Sequence, residues 1–126
     1  MKRKRGLKQA DIPVEDLLKT IIEALLDKKA LDVVQLDLRN IKDRSTDFFI
    51  ICNGTSDTHC EALSNNVLDE VELKKSERPW HIEGDKHSDW ILLDFVNVVV
   101  HIFLPRARSF YHLEDLWGDA ASITHF

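Results

Sequence analysis

The sequence predicts an α/β domain, one mixed β-sheet packed with helices. Three stretches carry that expectation. LLKTIIEALL (17–26) sets Leu17, Leu18, Ile21, Ile22, Leu25 and Leu26 along one side of a helix. FFIIC (48–52) is apolar on both parities, as an interior strand requires. DWILLDFVNVVVHIF (89–103) is, after Asp89, broken only by Asp94, Asn97 and His101. Side chains alternate across a strand, so a sheet with one wet side would show more polar residues there.

Residues 1–10, rich in Lys and Arg, read as a disordered basic tail, and the domain is expected over 11–120. Asp11 and Pro13 mark a helix start, proline suiting the first turn, and the helix runs near 13–28. A strand follows near 31–38, with Val34, Leu36 and Leu38 on one face. After FFIIC, NGTSDTH (53–59) turns the chain into a second helix. Thr58 and Glu61 have capping-box spacing there, with Ser56 as a rival cap. Leu63, Val67 and Val71 give that helix its buried face, and Pro79 ends it. WHIEG (80–84) reads as a short edge strand.

The 89–103 stretch reads as a hairpin with Val96 and Asn97 in its loop. Ile91, Leu93, Phe95, Val98, Val100 and Ile102 then form a wholly apolar face, suited to the core beneath the helices. The other face holds Trp90, Leu92, Asp94, Val99, His101 and Phe103. Apolar with polar punctuation, it has the character of a protein-binding patch. Beyond Pro105, RSFYHLEDLWGDA (108–120) reads as a closing helix that buries Phe110, Leu113, Trp117 and Ala120. Arg108, Tyr111 and Asp115 lie on another side. Residues 121–126 read as a frayed C-terminal tail.

Composition narrows the function classes. No apolar run approaches the ~20 residues of a membrane helix. The basic start leads into no apolar segment, so no secretory signal is expected. Cys52 and Cys60 are too few for a disulfide scaffold and fit a reducing cytoplasm. The net charge is −5, but Lys2, Arg3, Lys4, Arg5 and Lys8 all sit in the tail, leaving 12 basic against 22 acidic residues in the body. Such a body attracts basic proteins, and the tail can still touch phosphate. No metal or cofactor set is expected, since neither the Walker pattern nor GxGxxG is present. The segment Gly54–Asp57 before the second helix leaves one enzymatic alternative, a nucleotide site of nucleotidyltransferase type. Asp94 and His101 share a sheet face, but no nucleophile sits at an obvious third position.

Three blocks together resemble the ribosomal silencing factors, or Iojap family. They are IKDRSTDFFIICNGTS (41–56), DWILLDFVNVVVHIF (89–103) and RSFYHLEDLWGDA (108–120). The shared elements include Ser45 and Asp47, the Gly54–Ser56 turn, Trp90 with Asp94, Val100–His101, and Arg108, Tyr111, Leu113, Glu114, Leu116 and Trp117. The resemblance implies a nucleotidyltransferase-like fold without the metal carboxylates, and a cytoplasmic binding protein rather than an enzyme. It also implies docking on ribosomal protein number fourteen of the large subunit, blocked subunit joining and repressed translation in starvation or stationary phase. The partner-binding residues expected are Trp90, Leu92, Asp94, His101, Arg108 and Tyr111. The basic tail reads as a solubilising, disordered terminus, with contact to ribosomal RNA as the alternative, and a homodimer is the competing cover for the Trp90 face. Many members carry Gly-Asp where this chain has Val96-Asn97, and valine does not suit the positive φ of such a loop.

Overall fold

The computed structural model describes residues 13–85, 87–111 and 120–125, giving the backbone alone at 110 and 111. Its elements are α1 (Val14–Asp27), β1 (Leu31–Asp37), β2 (Phe48–Asn53), α2 (Asp57–Lys75), β3 (His81–Glu83), β4 (Trp90–Asp94), β5 (Val98–Phe103), α3 (Pro105–Tyr111) and β6 (Ala121–His125). The sheet order is β3-β4-β5-β2-β1-β6. β2 and β5 run parallel at the centre, while the flanking pairs are antiparallel. Both central strands are buried along their whole length, which is why neither shows a polar face.

One sheet face lies under α1 and α2. Leu17, Ile21 and Leu25 from α1 and Leu63, Val67 and Val71 from α2 meet Ile91, Leu93, Phe95, Val98, Val100 and Ile102 there. The apolar face of the hairpin is therefore core, as its pattern requires. The hairpin register also follows the sequence reading, with Leu93 opposite Val100 and Ile91 opposite Ile102. Its tip closes tightly. Val96 has φ +77, and Asn97 N–H donates to the Phe95 carbonyl at 3.0 Å. This is a γ-turn of the rare, strained hand.

Three expectations change. The residues 121–126 were expected to fray, yet Ala121–His125 forms β6 and pairs with β1 from Val33 to Asp37. Five residues alternating about Ile123 are enough to complete an edge whose backbone groups would otherwise face solvent. The last helix begins at Pro105 rather than 108, because proline suits a first helical turn. The expected continuation through Leu113 and Trp117, and the tail at 1–10, lie outside the described residues. At α2, Ser56 is the N-cap, its hydroxyl accepting from His59 N–H at 3.1 Å. The helix starts at Asp57, so Thr58 already lies inside it.

The second sheet face has its own core. Leu36, Leu38, Phe49, Ile51, Val99 and Phe103 are buried there with Ala107 of α3. That face is thus largely covered by this chain at its centre, whereas its β4 margin is only half-buried.

Candidate functional site

β4 presents Trp90, Leu92 and Asp94 at every second position on the second face, all three half-buried. Trp90 pairs across the ladder with Phe103, and their rings sit 5.0 Å apart, centroid to centroid. The indole N–H donates to His101 Nδ1 at 3.1 Å. Asp94 turns away from His101, since its carboxylate accepts from Val96 N–H at 2.8 Å and holds the hairpin tip. The acid and the imidazole share a face but do not form a catalytic pair.

His101 is only 4% exposed. Phe49 meets its ring edge-on at 4.5 Å, and Phe103 lies parallel to it. Burial pushes its pKa down to about 3, because the apolar surroundings penalise the imidazolium. The structure therefore puts His101 beneath the Trp90 strip, not on the open surface expected of a contact residue.

Arg108 is half-buried on α3. Its guanidinium donates to the Asp32 carbonyl at 2.6 Å and to Asn53 Oδ1 at 2.8 Å. Asn53 in turn donates to the Asp32 carboxylate. Asp32 has φ +52 and sits where the β1–β2 register is irregular. Arg108 thus ties α3 to the ends of β1 and β2. Tyr111 closes the backbone of α3, and its side chain lies outside the described residues.

Next to Trp90 is a cleft of about 670 Å³, whose lining includes Asp57, Glu83, Asp89, Leu92 and Arg106. Three carboxylates against one guanidinium give it an acidic rim. Sequence reading missed this rim because its members come from α2, β3, the approach to β4, and α3. The excess of acids in the body was the one available signal.

The Gly54–Asp57 turn is engaged with its own chain. Gly54 N–H donates to the Phe103 carbonyl, and Thr55 N–H donates to His59 Nδ1 at 2.9 Å. A Cβ at Gly54 would lie 2.8 Å from Cys60 Sγ. Glycine there lets α2 approach β2, which accounts for the motif without a phosphate. Cys52 and Cys60 are both buried free thiols whose pKa values burial raises. Among the described residues no group of three or more His, Cys, Asp or Glu could hold a metal, and no helix is long and apolar enough to cross a membrane.

A family model described as "Ribosomal silencing factor during starvation" matches residues 11–125. The chain is 37% identical over 109 residues to "Ribosomal silencing factor RsfS" of Halalkalibacterium halodurans, covering 86% of this chain and 92% of that protein. It is likewise 37% identical over 111 residues to the protein of that name from Bacillus subtilis, covering 84% and 88%. A crystal structure of a Chromobacterium violaceum protein superposes with a TM-score of 0.79 at 32% identity, covering 85% of this chain and 88% of that one.

Proposed function

This chain belongs to the ribosomal silencing factor family, and on that premise we propose that it is a translation repressor that docks on the large ribosomal subunit and prevents the small subunit from joining. The contact is ribosomal protein number fourteen, the setting is the cytoplasm, and the occasion is starvation or stationary phase. The observation that carries this reading is the family match along residues 11–125.

The geometry supports it in two ways. The strip of Trp90, Leu92 and Asp94 leaves a half-buried aromatic beside an aliphatic and an acid, a composition suited to the core and rim of a protein interface. The neighbouring acidic cleft suits a basic ribosomal protein. Arg108 contributes by bracing α3. Leu92 and Asp94 complete the proposed contact around Trp90, and Tyr111 is a further proposed contact residue. The basic tail adds a contact to ribosomal RNA, and self-association of the Trp90 face competes with docking.

The test is subunit joining. The protein is added in molar excess to separated subunits before conditions that favour joining, and the products are resolved on sucrose gradients. Free subunits should persist, with the protein co-sedimenting with the large one. A profile identical to that of untreated subunits overturns the proposal.

A further inference from the structure

The contact between Trp90 and His101 has a fixed polarity. An indole N–H can only donate, so the Nδ1 it reaches at 3.1 Å must offer a lone pair. The neutral ring then carries its proton on Nε2. That nitrogen is buried and has no hydrogen-bond partner among the described residues. Burying a donor without an acceptor lowers stability, and an apolar side chain of similar shape would avoid the cost. What the imidazole supplies in return is the acceptor for the indole.

The ring is well placed for that task. It is 4% exposed and is held by Phe49 and Phe103, so its own orientation is set by packing. Its burial keeps it neutral through neutral and mildly acid pH, so the lone pair is always present there. Trp90 is half-buried, its ring packs on Phe103, and the bond to Nδ1 sets where its indole N–H points.

We infer that His101 is a positioning residue, which fixes the Trp90 indole through the bond to Nδ1 and so presents a preorganised docking anchor on β4. An anchor already held in its bound orientation gives up less side-chain freedom on binding. This rests on the reading of Trp90 as a docking residue, and the experiment separates the two.

The full chain, labelled with ¹⁵N, has three tryptophans, and Trp90→Phe identifies the Trp90 indole N–H signal. His101→Asn and His101→Leu are then compared. The two side chains are close in size, but only asparagine keeps an acceptor near the place of Nδ1. His101→Leu should shift the Trp90 indole signal toward that of an unbonded indole. It should also weaken binding to purified large subunits about tenfold, a magnitude fitting the loss of one preorganising contact. His101→Asn should retain most of both, and His101→Leu should melt no lower than His101→Asn. His101→Ile serves as a second acceptor-free variant should leucine fail to fold.

An unmoved Trp90 signal in His101→Leu overturns the inference, as does equal weakening by Asn and Leu. So does full binding by His101→Leu when Trp90→Ala has lost it. Full binding by Trp90→Ala overturns the docking reading itself, and the inference falls with it.

Discussion

His101 and Trp90 show how one face serves two purposes. Leu93, fully buried, belongs to the core under α1 and α2, and Leu93→Ala should cost about 2–5 kcal/mol of stability by leaving a cavity. Trp90→Ala gives up the ring contact with Phe103 and the bond to His101, about 1–3 kcal/mol of stability, but should weaken large-subunit binding ~30- to ~900-fold, the ~2–4 kcal/mol of an interface hot spot. Thermal melting and subunit binding of both variants distinguish these roles, and a reversed pattern would mean that the faces are exchanged. His101 adds a pH dependence. Its folded pKa is about 3, below the unfolded value of 6.5, so the unfolded chain takes up a proton first as pH falls. The stability is complete above pH 6.5 and declines below it, by about 2 kcal/mol at pH 5. Denaturant unfolding at pH 7.5 and 5 should show that loss in the native chain and a smaller one in His101→Asn. Equal losses would contradict the burial of the imidazole.

Two elements hold devices that the residues alone do not reveal. The β4–β5 tip carries Val96 at φ +77, a conformation costing a β-branched residue on the order of 1–3 kcal/mol. The strain is sustained by neighbours: Thr46 donates to the Val96 carbonyl and Asp94 accepts from the Val96 N–H. Val96 is 45% exposed, so Val96→Gly loses little packing and should stabilise the fold by about 1 kcal/mol, measured as a raised denaturant midpoint with unchanged slope. At the start of α2 the opposite holds. Gly54→Ala would drive a methyl against Cys60 Sγ and the Cys60 backbone nitrogen, 2.8 and 3.0 Å away. It should destabilise by about 1–3 kcal/mol as α2 is pushed off β2. A neutral result would show that α2 can shift freely, and would return the glycine to other duties.

For the molecule as a whole, charge governs how a partner is met. The body beyond the tail has 22 acidic against 12 basic residues, and the cleft next to Trp90 concentrates three of those acids. Association with large subunits should therefore slow as salt rises, because the screening length falls from ~10 Å at 0.1 M to ~3 Å at 1 M. Stopped-flow rates across that range check it, and a rate indifferent to salt would rule out steering. Removing residues 1–10 should weaken binding through loss of the proposed contact to ribosomal RNA, and an unchanged affinity would rule that contact out.

Local pattern was enough to define much of this protein. The stripe from Leu17 to Leu25, the doubly apolar strands around Ile50 and Val100, and the parity of Leu93 against Trp90 are periodicities within one segment, and periodicity decides which face is buried. The tertiary structure decided the rest. Burial of His101 depends on Phe49 from the neighbouring strand β2, which meets its ring edge-on. Arg108 became a brace because it meets a carbonyl 76 residues away. The residues 121–125 became a strand because β1 offered them an unpaired edge. Each of these outcomes is a contact between segments distant in the chain, and no property of either segment alone specifies which partner it will meet.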